Sequence, residues 1–184
     1  MQRVRFLAII VLLCSLTPSV FAQKESKAEA ADRAFRHAID LFNKEKYAAA
    51  QHEFDNMVQQ GTAYEADAAY YGAVCSSELG SNDALFRLDE FLRLFPHSSK
   101  TGMARFYQGN THYARSEYSK ALQYYKQVAL TDIEYGHRNE YDFKMGYCYI
   151  NTGDYEQAKT CLARVKDGKS KYQSSALYYY AHLQ

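Results

Sequence analysis

Four times along this chain a residue no larger than alanine is followed, 12 positions later, by an alanine: Ala38 and Ala50, Gly72 and Ala84, Gly109 and Ala121, Gly146 and Ala158. Chance does not hold one interval four times over. Leu41, Cys75, His112 and Tyr149 stand three residues after the first small position, and Phe54, Leu88, Tyr125 and Leu162 stand four after the second. Spacings of three and four belong to helices. Two small residues a fixed distance apart are what two antiparallel helices need where they come closest, because neither can carry a bulky side chain there. The clearest copy is Phe143 to Val165, where Gly153, Asp154 and Tyr155 supply the turn.

In this register the units run over 31–64, 65–101, 102–138 and 139–173. A partial unit follows at 174–184, with Ala181 at the small position. Pro96 stops the last helix of the second unit. The small positions recur after 34, 37 and 37 residues, so the later links are three residues longer. This is the tetratricopeptide pattern, and the chain resembles that class of repeat over residues 31–184. The phrase FLRLFPHSSKTGMARFYQGNTHYARSEYSKALQYYKQV, Phe91 to Val128, resembles the tandem tetratricopeptide domains of Gram-negative cell-envelope proteins. The BamD-like lipoproteins of outer-membrane assembly and the Tol-Pal coordinator share its Pro-x-Ser link and its long period. The resemblance implies an all-α fold, a right-handed superhelix of stacked hairpins with the first helix of each hairpin on the concave face. Each hairpin in such an array buries apolar surface only against its neighbours.

The formal charge of +1 leaves no electrostatic footprint for nucleic acid. Eighteen Tyr and 10 Phe with only 2 Pro suit packed helices and speak against disorder. Residues 1–22 read as an export signal, with Arg3 and Arg5 in a basic start, an apolar run from Phe6 to Leu13, and Val20 and Ala22 at a cleavage site. The expected mature start is Gln23, in the periplasm or against the outer membrane. Ser15, Thr17 and Pro18 interrupt the run before the ~18 residues a membrane span needs, so no integral span is expected once the signal is removed. Cys14 follows Leu13 instead of a small residue, which counts against lipidation. Residues 23–30 are charged and alanine-rich, with no apolar face until Phe35, and read as a flexible tail.

On the mapping the resemblance implies, the ligand-binding concave face carries Phe35, Tyr70, Phe106, Asn110, Tyr113, Phe143, Tyr147 and Asn151. Such a face suits a protein or peptide held by aromatic contact, with the asparagines holding its backbone in register. Relatives that grip a chaperone's C-terminal carboxylate use a lysine and asparagine clamp, and Phe106 stands where that lysine would be. Aromatic platforms also stack on sugar rings, so a carbohydrate-binding repeat protein is the rival reading, and the docking region of a longer enzyme or sensor is a third. No catalytic constellation emerges. His37, His52, His97, His112, His137 and His182 have no metal-ligand spacing, and no phosphate loop or nucleophile elbow is present, so neither metal nor cofactor is expected. His112, Cys75, Cys148 and Cys161 fall at packing positions and read as core. Leu177, Tyr178, Tyr179, Tyr180 and Leu183 put apolar groups on more than one side of the last helix. Either a further hairpin covers them in a longer array, or the chain self-associates there, or the helix is a lone cap.

Overall fold

The computed structural model describes residues 26–183, and the export signal, Cys14 and the junction after Ala22 lie outside them. Among the described residues there are nine α-helices and no strand: α1 (Lys27–Asn43), α2 (Tyr47–Gln59), α3 (Glu65–Glu78), α4 (Ala84–Leu94), α5 (Thr101–Ala114), α6 (Tyr118–Tyr125), α7 (Arg138–Thr152), α8 (Tyr155–Lys166) and α9 (Gln173–His182). A 3-10 turn, Tyr135–His137, precedes α7. Each helix packs on the next, which makes four hairpins with α9 laid against α8. In addition α3 touches α5, and α5 touches α7. The first helices of the second, third and fourth hairpins are therefore neighbours, on the side that the resemblance to tetratricopeptide repeats implies is concave.

The small positions do what their spacing predicts. Ala38, Ala50, Ala84, Ala121 and Ala158 are fully buried. A Cβ on Gly109 would overlap the Tyr125 ring, and one on Gly146 would stand 2.9 Å from Leu162 Cγ; both partners lie on the second helix of the same hairpin. Gly72 differs, since its closest neighbours are Asp55 Oδ1 at 3.2 Å and Phe54 Cβ at 3.7 Å, from the preceding hairpin. There the small residue serves the seam between units.

The hairpin turns follow the same register. Gly153 ends α7 at φ 83°, a left-handed conformation that costs glycine nothing. Glu45 and Ser116 hold the equivalent place at φ 57° and 59°, so those two turns put the left-handed conformation on a residue with a side chain.

Helix α1 starts earlier than its apolar pattern indicates. Ser26 Oγ accepts the Glu29 N–H at 3.2 Å, and Glu29 Oε2 accepts the Ser26 N–H at 2.9 Å. This reciprocal box satisfies two donors that a helix start otherwise leaves orphaned. Residues 27–30, expected as flexible tail, are the first turn of α1. A polar cap orders them without any apolar face.

The core is continuous along the array. A first cluster (Ala38, Phe54, Met57, Cys75) passes to a central one through Phe42 and Tyr71, and the central one passes to Phe143, Leu162 and Val165 through Ile150 and Leu183. The long link between α6 and α7 is held too, with Val128 and Ile133 buried and Glu134 paired to Lys100 at 2.9 Å.

Candidate functional site: the inner tyrosine face

Helix α5 carries Tyr113 just before its last residue, α6 begins with Tyr118, α7 carries Tyr147 in its second half, and α9 carries Tyr179. These four rings meet. Tyr147 is the hub, with centroids 5.8 Å from Tyr113, 5.5 Å from Tyr118 and 5.2 Å from Tyr179, all edge to face. All four are half-buried. Desolvation raises the hydroxyl pKa of both Tyr113 and Tyr147.

Beside the rings lies a charged patch centred on Glu140, in the first turn of α7. Its Oε1 accepts from Lys144 Nζ at 2.5 Å and Asn110 Nδ2 at 3.2 Å, and its Oε2 lies 3.4 Å from His137 Nδ1. Burial pushes the Glu140 carboxyl up, but the His137 hydrogen bond and the Lys144 charge outweigh it and hold the group down at about 2. The same hydrogen bond raises His137 against the opposing effect of burial. Lys144 also lies 5.4 Å from the Tyr113 ring centroid, which joins the charged patch to the tyrosines. Glu78 is the last residue of α3. It is solvent-exposed, yet its carboxyl is raised, first by desolvation and then by Glu140.

Of the residues expected on the concave face, Tyr113 and Tyr147 are in this half-buried cluster. Phe106 is not: it is fully buried between the Tyr125 and Tyr141 rings, with His137 at 5.6 Å. The start of the next unit folds over it. Tyr70 is likewise core, 3% exposed and packed on Phe91. Phe35 is half-buried and stacks on Tyr64 at 4.4 Å, sealing the first two units together. Phe143 stacks on Tyr172 at 5.2 Å and is 9% exposed. Asn110 is buried, accepting from the Tyr125 hydroxyl at 2.8 Å and donating to Glu140, so no ligand backbone can use it. Asn151 is exposed, but its amide donates to the Tyr147 carbonyl one turn back at 2.8 Å. Tyr118, Tyr179, Glu78, Glu140 and Lys144 escaped the sequence reading. Charged helix residues look solvated in one dimension, and Tyr118 belongs to a second helix; only the packing of one unit on the next brings Tyr118 and Tyr179 onto Tyr147.

The packing readings of the histidine and cysteines agree with the structure. His112 is buried, stacked on Tyr124 at 5.0 Å, with Nδ1 2.6 Å from Glu117. Cys75, Cys148 and Cys161 are buried free thiols. Burial pushes Cys75 and Cys148 up to about 12 and Cys161 upward, which removes their nucleophilicity. No group of three His, Cys, Asp or Glu among the described residues is placed to hold a metal, and no described helix is long and apolar enough to cross a membrane.

A family model described as Tetratricopeptide repeat matches residues 140–167, the α7/α8 hairpin. No curated protein matches the chain. One hairpin of the described helical array matches that repeat and three others keep its 12-residue register, which together support a tetratricopeptide-type protein.

Proposed function

We propose that this protein is an exported, non-catalytic scaffold that holds a protein or peptide segment against its inner tyrosine face, in the assembly or maintenance of a Gram-negative cell envelope. Repeats of this type serve protein interaction. The observation that carries the proposal is the Tyr113, Tyr118, Tyr147 and Tyr179 cluster, four half-buried rings from three successive units that meet edge to face. Tyrosines of this kind supply large contact area at low conformational cost. The leader at 1–22 and the envelope-like phrase at 91–128 support the cellular setting.

The geometry favours a protein ligand over a sugar. A glycan needs a ring face lying open, whereas Tyr113, Tyr118 and Tyr147 cross one another at 64–75° and use their faces on each other. Affinity capture from envelope extract tests this, with wild type and the Tyr113→Ala, Tyr147→Ala double variant as parallel baits and a glycan array on the same preparations. The expected result is a protein retained by wild type and lost by the variant, with a silent array. Glycan binding that the double variant abolishes would replace this reading with the carbohydrate one.

A further inference from the structure

The outer side of α9 is one continuous stripe. Ser174, Ser175, Leu177, Tyr178, Ala181 and His182 are exposed, and at ~100° per residue they cover about 160° of the helix surface without interruption. Ala176, Tyr179 and Tyr180 make up the other side, which packs with Phe143, Leu162 and Val165. Within the stripe Ser174 and Ala181, seven residues apart, lie along the middle. Leu177 flanks them on one side and Tyr178 on the other.

The repeat register shows what such a stripe receives. Leu177 and Ala181 stand 35 residues after Asp142 and Gly146, and on α7 those two positions lie under α8. Gly146 is against Leu162 and Cys161, and Asp142 Oδ1 accepts from Arg164 Nη2 at 2.6 Å. The same stripe on α9 is exposed, and Leu177 puts an apolar side chain where α7 has a charged one. What fits it is an antiparallel helix with small residues along its contact line, as Ala158 supplies for α7. Helix α9 answers that description itself. It also carries no Asp, Glu, Lys or Arg, whereas each of α1 to α8 carries at least one. A two-fold axis brings the same patch of two copies together, so a helix free of formal charge is one that meets its own copy without repulsion.

We infer that two copies of this chain pair through α9, antiparallel about a two-fold axis that passes between Leu177 and Tyr178. Ser174 then faces the partner's Ala181 along the middle of the contact. Leu177 lies beside the partner's Leu177 and Tyr178 beside the partner's Tyr178. The small residues let the two backbones approach, and the large ones close both edges. Tyr179 is on the opposite side of α9 and stays on Tyr147 at 5.2 Å, so the dimer leaves the tyrosine cluster of each copy in place. The pairing is independent of what those clusters bind. One short helix on another is at the small end of specific interfaces, which sets the dissociation constant on the order of 10 µM.

Ser174→Cys and Ala181→Cys test the geometry, in a Cys14→Ser background whose described thiols are buried. Mixed in equal amounts above that concentration and mildly oxidised, the two single variants are expected to give a disulfide-linked dimer. Neither is expected to do so alone, because a cysteine at 174 would stand ~10 Å along the axis from its own mate, beyond the ~7 Å that a disulfide spans. Light scattering of Leu177→Lys and Leu177→Glu tests the two-fold axis. Each alone should stay at the mass of one chain, since like charges meet across the axis, and their mixture should recover the mass of two. Both positions are exposed, so the thermal melts should match wild type. Crosslinking of either cysteine variant alone, at the rate of the mixture, would overturn the antiparallel pairing. No crosslinked product from the mixture, with wild type at the mass of one chain at every concentration, would sink the inference and leave α9 a cap. A dimer that persists in both Leu177 variants would move the contact to another surface and also refute it.

Discussion

Leu162 packs so closely on Gly146 that a Cβ added to the glycine would stand 2.9 Å from the leucine Cγ, with Cys161 Cβ at 3.3 Å. Two helices of one hairpin touch there without a side chain between them. Gly146→Leu is therefore expected to overpack the crossing and cost about 1–3 kcal/mol or more. Glu156→Ala, at a side chain 88% exposed, should stay within about 0.5 kcal/mol. Urea melts of the two variants check this, and equal midpoints would refute the register.

The burial of Phe106 predicts a different outcome from that of the tyrosines beside it. Phe106→Ala should cost about 3–5 kcal/mol, the usual loss for a fully buried aromatic. Tyr113→Ala and Tyr147→Ala, at half-buried positions, should each cost about 1 kcal/mol and leave the helical circular dichroism intact. Chemical denaturation of the three single variants measures the contrast. A Phe106 variant as stable as the tyrosine ones would place that ring on the surface.

The Glu140 patch predicts an acid dependence. Its folded pKa, about 2, lies below the ordinary 4.5, so its contribution is present above pH 4.5 and is lost as pH falls toward 2. The full effect is on the order of 3 kcal/mol. His137 has the opposite sign: raised above 6.5, it contributes below that pH and loses its contribution as pH rises through its folded value. The stability difference between wild type and Glu140→Gln should be largest from pH 5 to neutrality and shrink at both ends. A difference independent of pH between 2 and 5 would show that Glu140 is not held as described.

Export predicts a processed N-terminus. Protein from its native host should begin at Gln23, since Val20 and Ala22 offer the small side chains that signal peptidase requires. Intact-mass spectrometry reads this directly, and a lipid-bearing N-terminus at Cys14 would move the protein onto a membrane leaflet.

The outer side of α9 predicts association. Leu177 and Tyr178 are 51% and 56% exposed, and Ala181, at the small position that is buried in every complete unit, is exposed as well. Light scattering should show mass rising with concentration, and Leu177→Lys with Tyr178→Lys should abolish the rise. A monomer at all concentrations that binds no hydrophobe-sensitive dye would identify α9 as a sufficient cap.

The repeat class was legible in one dimension because it depends on contacts within a hairpin. The 12-residue interval from Gly109 to Ala121 reports a crossing between α5 and α6, and local spacing is all that such a crossing needs. Even the start of α1 was written locally, in Ser26 and Glu29, although in polar residues that a search for apolar periodicity passes over. The binding face was not legible in the same way. Phe106 and Tyr113 are seven residues apart on α5, two helical turns, and so share one stripe. Their sequence positions give them one role. The array separates them: Tyr141 of the next unit and His137 just ahead of it close over Phe106, while Tyr113, two turns on, meets Tyr118, Tyr147 and Lys144 and stays half-buried. Which aromatic becomes core and which becomes surface is set by how one hairpin is rotated against the next. That angle arises from packing between neighbouring units, about which the periodicity of a single helix carries no information.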